Sequence, residues 1–113
     1  MRHDVEPLRV ALPALDWTTD PERLALLSRD FSWFSPILKA ELEGKAADIA
    51  VRPRDEAELL QLVGECARRT IPLTLRGAAT GNYGQCTPLQ GGVLVDMGGL
   101  NRIVWQRGGV VRA

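Results

Sequence analysis

The chain has 113 residues, enough for one domain or part of one. Its 14 Lys and Arg balance 14 Asp and Glu, and no basic tract marks a nucleic-acid surface. Hydrophobic content of 45% and charged content of 25% suit a soluble globular domain, no apolar run approaches the ~20 residues of a membrane span, and residues 1–7 lack the apolar core of a signal peptide, so the expected location is the cytoplasm.

Residues 1–19 are rich in Pro and aliphatics without a clear period, which predicts an irregular course over the surface. Asp20-Pro21-Glu22 reads as a helix start: Asp20 can cap, Pro21 suits the first helical position, and Glu22 favours the positive helix end. That helix should stop near Ser28. Ser35-Pro36 opens another, carrying Ile37, Leu38 and Leu42, with Gly44 as its C-terminal cap. Trp33 and Phe34, between the two, read as packing residues.

Residues 48–52 form a short apolar strand stopped by Pro53. Asp55 then reads as an N-cap with Glu58 three residues on, a capping box in Asp form. Leu59, Leu62, Val63, Cys66 and Ala67 recur at helical spacing and give that helix one apolar stripe. Cys66 on that stripe reads as a core thiol, and Arg68 and Arg69 as a solvated helix end. A strand over residues 72–75 follows. Strand, helix, strand in this order is a crossover unit, so the two strands are expected to pair in parallel with helix 55–69 packed across them.

After the second strand comes Arg76-Gly77-Ala78-Ala79-Thr80-Gly81-Asn82-Tyr83-Gly84-Gln85, a loop of small residues. Small side chains let several backbone N–H groups approach one point, and such a point binds anions, phosphate above all. The loop lies at the carboxyl end of its strand, where ligands of open α/β sheets bind. It is neither a Walker loop, which needs Gly-Lys-Ser/Thr opening a helix, nor the dinucleotide fingerprint, since Gly77, Gly81 and Gly84 give G-x-x-x-G-x-x-G with Pro88 and a strand after it. The bland reading is a long glycine-rich connection without a ligand. Cys86, just beyond, is either a core thiol or a neighbour of that ligand. Two cysteines give no disulfide framework and no metal spacing.

The order of these segments resembles the FAD-binding domain of the vanillyl-alcohol-oxidase, or p-cresol-methylhydroxylase-type, superfamily. The matching features are Val51-Arg52-Pro53, the helix, the strand ending at Leu75, the loop from Arg76 to Gly81, a strand over residues 93–97, and a strand-like Leu100-Asn101-Arg102-Ile103. The resemblance covers residues 48–113 and is nearest in pattern to glycolate and D-lactate dehydrogenase-like members. It implies an α/β (α+β) fold and divides the chain into an N-terminal helical segment, 1–47, and the first part of an FAD domain, 48–113. Family domains are longer, and residues 109–113 read as a strand just begun, so the chain is expected to stop mid-domain with the missing part C-terminal.

The resemblance also implies a site. Gly77, Ala78, Ala79, Thr80 and Gly81 would wrap the FAD pyrophosphate, with Asn82 and Gly84 close by. Arg76 would brace the loop more than touch phosphate, and Pro53 would lie near the adenine. The family loop commonly reads Arg-Gly-x-Gly-Thr, and Ala79 stands where its second Gly falls. If that position needs a positive φ, Ala strains it by about 1 kcal/mol or more. Members with covalent flavin often carry a His in this loop. Here the position is Thr80 and the one histidine is His3, near an N-terminus expected to be mobile, so the FAD is expected to be non-covalent. No catalytic residue and no metal ligand set is visible in the chain, and no triad can be built from one histidine. The function implied is that of a flavin-dependent oxidoreductase acting on a small 2-hydroxy acid or related alcohol, with residues that contact the substrate lying mostly outside this chain. Two alternatives stay open: a non-catalytic fragment without activity of its own, and the FAD domain of an enolpyruvyl-sugar reductase.

Overall fold

A computed structural model describes residues 2–30, 36–81 and 83–113. The expectations placed on Trp33, Phe34, Ser35 and Asn82 lie outside those residues. The described elements run α1 (Glu6–Ala11), β1 (Asp16–Thr18), α2 (Pro21–Leu27), α3 (Pro36–Leu42), β2 (Ile49–Arg52), α4 (Glu56–Arg69), β3 (Leu73–Arg76), β4 (Val93–Asp96), a 3-10 turn (Met97–Gly99), β5 (Trp105–Arg107) and β6 (Val110–Arg112).

Local chemistry accounts for the helices. Asp20 caps α2 by accepting from Arg23 N–H, and Pro21 occupies the first turn, where no N–H is needed. Asp55 caps α4 by accepting from Glu58 N–H at 2.8 Å. The return bond of the capping box differs from expectation. Glu58 reaches one residue further back and accepts from Arg54 N–H at 2.9 Å, while its other oxygen takes Arg54 Nε. The hydrogen bond from Arg54 holds the Glu58 carboxyl below its ordinary value. The apolar stripe of α4 is narrower than the spacing suggests: Leu62 and Cys66 are buried and Leu59 packs beside them, whereas Val63 and Ala67 face solvent.

The order of strands in the main sheet is β1-β2-β4-β3. This corrects the expected pairing. β2 and β3 run in the same direction but do not touch; β4 lies between them and is parallel to both. A crossover fixes direction and leaves room for a strand to be inserted, and Val93, Leu94 and Val95, all fully buried, are the residues for a central strand covered on both faces. One face of the sheet, with Ile49, Val51, Val93 and Val95, packs under Leu8 of α1 and Leu62 and Cys66 of α4. The other, with Ala50 and Leu94, packs on Leu24 of α2. Each buried aliphatic contributes about 1.5–3 kcal/mol.

Residues 1–19 are not irregular. Leu8 anchors α1 in the core, and β1 joins the sheet edge antiparallel to β2, with Trp17 opposite Val51. Nor does the N-terminus swing free: His3 N–H donates to Asp48 at 2.9 Å and the His3 ring meets the Gln90 carbonyl at 2.9 Å. Leu100-Asn101-Arg102-Ile103 does not form a strand. The two-residue Gly108-Gly109 turn, both with positive φ, sets a hairpin in which Trp105 faces Arg112.

Candidate functional site

Because β2, β4 and β3 are parallel, their carboxyl ends share one edge of the sheet. Pro53 follows β2 there, the 3-10 turn follows β4, and the glycine-rich loop follows β3. Arg76, the last residue of β3, stands in register with Asp96 at the end of β4. Its Nη1 donates to the carbonyls of Leu27 at 2.7 Å and Arg29 at 2.6 Å, groups at the end of α2 that a helix leaves unpaired. The same nitrogen is 4.0 Å from Cys86 Sγ.

The loop departs from β3 through Gly77 and turns at Ala79, whose φ is +57°. The position where Ala79 replaces the glycine of the family pattern is therefore left-handed in this chain, with a buried alanine in it. On the far limb Gly84, φ +75°, gives its N–H to Asp30 Oδ2 at 2.8 Å, and Tyr83 N–H donates to the Gln85 side chain at 3.0 Å. Between these fixed points the loop frames a concavity of about 270 Å³, lined by residues 77–81 together with Asp30, Leu75, Gln85 and Cys86. Among the described residues nothing accepts a hydrogen bond from the N–H groups of Ala78, Ala79, Thr80 or Gly81. Consecutive backbone donors not engaged by the described protein groups suit an anion.

Gly77 and Gly81 differ in what surrounds them. A Cβ on Gly77 would meet open space. A Cβ on Gly81 would strike the Gln85 side-chain oxygen and come within 3.2 Å of Asp30 Oδ2. Gly81 thus makes room for the protein's own side chains, whereas the space beside Gly77 is unfilled.

Of the residues singled out in the sequence, the structure brings Gly77, Ala78, Ala79, Thr80 and Gly81 together around the concavity. Arg76, Gly84 and Pro53 stand outside its lining. Gly84 has its N–H already engaged by Asp30. Pro53 is fully buried two strands away, with its carbonyl against Gly99 so tightly that a Cβ there would collide. Cys86 lines the concavity but is 6% exposed, and burial pushes its thiol up, against the opposing pull of Arg76. Cys66 in the core is pushed up to about 11 by burial alone. Asp30, Leu75 and Gln85 were not singled out; Asp30 enters from 54 residues upstream of Gly84 and carries no local signal. A larger concavity of about 450 Å³ opens between α2 and α3. The Ser28 hydroxyl in its wall is already committed, donating to Leu24 O and accepting from Ala47 N–H. Among the described residues no helix is long and apolar enough to cross a membrane.

Two crystal forms of alkyldihydroxyacetonephosphate synthase share this fold. One superposes with a TM-score of 0.71 at 19% identity over 93% of this chain and 22% of its own, the other with 0.73 at 18% over 92% and 20%. The chain therefore spans about a fifth of the length of these structural relatives. No curated protein matches it closely in sequence. The sequence pattern of the family described as FAD binding domain matches residues 47–113, more than half of the chain. The chain belongs to the FAD binding domain family, and its cofactor is FAD.

Proposed function

We propose that residues 77–81 form the cradle for the FAD pyrophosphate and that the cofactor is held without a covalent bond. The observation that carries this reading is that residues 77–81 line one concavity at the carboxyl edge of the parallel strands and that, among the described residues, nothing accepts from the N–H groups of residues 78–81. Backbone donors suit a diphosphate because they add no mobile counter-charge. The concavity is sized for phosphate groups, so the rest of the dinucleotide would extend along the sheet edge toward Pro53. His3 is bonded to Gln90 and Asp48, where β2 and β4 begin, so it stands at the opposite end of the strands from the loop. Burial pushes the Cys86 thiol up against the pull of Arg76, which disfavours the nucleophilic thiolate.

FAD supplies a ring that accepts hydride, and this chain's part is to hold and orient it. In the longer protein we propose a small 2-hydroxy acid or related alcohol as the hydride donor, on the strength of the resemblance around residues 48–103. The structural neighbours, named as alkyldihydroxyacetonephosphate synthases, support a second reading in which the same FAD domain serves a synthase.

Gly77→Val tests the cradle, because its side chain enters open space and not the core. FAD affinity should fall about ten-fold or more while stability changes by less than ~0.5 kcal/mol. Undiminished binding would reduce the loop to a connection. The substrate is tested in a protein extended to its full length by adding glycolate or D-lactate without oxygen. Bleaching of the visible flavin band supports the hydroxy-acid reading. Bleaching by NADPH alone points to the reductase alternative, and no bleaching by either leaves the synthase.

A further inference from the structure

We infer that Asp30 is a positioning residue for the cofactor loop, and that the exit of α2 is a clamp which grips this loop at both ends. The inference deepens the cradle reading and rests on it for the identity of the ligand. Two ties leave the same short stretch of chain. Arg76, at the start of the loop, donates to the carbonyls of Leu27 and Arg29. Gly84, at its far end, donates to the carboxylate of Asp30, the next residue along. The loop therefore begins and ends on residues 27–30, which lie about fifty positions upstream in sequence.

Asp30 Oδ2 also stands between the two limbs. It is 2.8 Å from Gly84 N on the descending limb and 3.2 Å from where a Cβ on Gly81 would sit on the ascending one. The carbonyl of Gly84 is engaged as well, accepting from Thr87 N–H at 3.0 Å, so both backbone polar groups of that residue are fixed. A stretch of small residues loses much conformational freedom when ordered. Fixing its ends beforehand lowers the cost of gathering the N–H groups of residues 78–81 around a phosphate. The carboxylate is a poor direct partner for a diphosphate, since like charges repel. Its contribution comes through the Gly84 N–H, which an uncharged acceptor of the same shape can also receive.

The pair Asp30→Ala and Asp30→Asn separates positioning from charge. In the 113-residue chain, amide exchange at Gly84 followed by NMR without ligand should quicken about ten-fold in Asp30→Ala and stay near the parent rate in Asp30→Asn. FAD titrated by fluorescence should bind Asp30→Ala about ten-fold more weakly, with Asp30→Asn equal to or tighter than the parent. A thermal midpoint that falls in parallel in both variants marks a merely structural residue and overturns the inference. So does an Asp30→Ala variant that binds FAD more tightly, which would make the carboxylate a competitor for the ligand. If the parent chain binds no FAD, the exchange rates still decide: faster exchange upholds the clamp and places the failure on the cradle reading, and unchanged exchange removes the clamp whatever the ligand.

Discussion

The two edges of the parallel sheet are built from similar residues and behave in opposite ways. At the amino edge the chain satisfies itself. Asp48 accepts from Gly92 N–H at 2.8 Å and from His3 N–H, the Gly92 carbonyl accepts from Asp48 and Ile49, and Pro72 O accepts from Val93. Gly92, with φ +79°, lies so close to the Pro72 carbonyl that a Cβ would overlap it. At the carboxyl edge, Gly77 borders open space, and among the described residues nothing accepts from the N–H groups of residues 78–81. Glycine content alone does not distinguish a structural turn from a ligand loop. The distinction lies in whether the freed backbone groups are claimed by the protein.

Replacing one glycine on each edge puts this contrast at risk. Gly92→Ala should cost about 2–4 kcal/mol, from overlap with Pro72 and the left-handed backbone together. Gly77→Ala should cost less than about 1 kcal/mol. Urea titrations of both variants measure this, and equal losses would mean that the edges do not differ.

A smaller effect sharpens the contrast through the two non-glycine residues that have positive φ among the described residues, Thr70 and Ala79. Thr70 ends α4 at the amino edge in a Schellman arrangement, its N–H donating to Ala67 O and that of Ile71 to Cys66 O at 3.0 Å. Its side chain is exposed, so Thr70→Gly relieves strain and loses no packing, and should stabilise by about 0.5–1 kcal/mol after the unfolded-chain entropy is counted. Ala79 is 7% exposed, and Ala79→Gly gives back about 0.8 kcal/mol of methyl burial, so stability should stay nearly level. Thermal melts of both variants check the difference. An Ala79→Gly gain as large as that of Thr70→Gly would show that the buried methyl packs against nothing of consequence.

The sequence made some of this legible and hid the rest for physical reasons. Capping at Asp20 and Asp55 depends on residues three apart, so local reading found α2 and α4. The strands β2, β3 and β4 announced themselves as apolar runs, but apolarity does not name neighbours, and the insertion of β4 between the other two was missed. Helix α1 has six residues with Leu8 alone buried, and β1 has three residues; both are held by tertiary contact and neither is long enough to show a period. The loop was visible from its small residues, and the left-handed turn at Ala79 from comparison with a glycine pattern. Asp30 was invisible, since a lone aspartate after a helix looks the same whether it meets water or a peptide fifty residues away.

The placement of β4 also bears on how the polypeptide reaches this shape as it is made. When residue 76 has been synthesised, the residues of β2, α4 and β3 are in the chain, but residues 93–96, the strand that separates β2 from β3 in the folded sheet, are not. Until then two apolar strands present unpaired edges, the arrangement most open to wrong pairing with another chain. The sheet therefore closes in one late event that depends on contacts distant in sequence, a topology that slows folding. A nascent chain of this kind stays vulnerable over the whole interval between its third strand and its fourth.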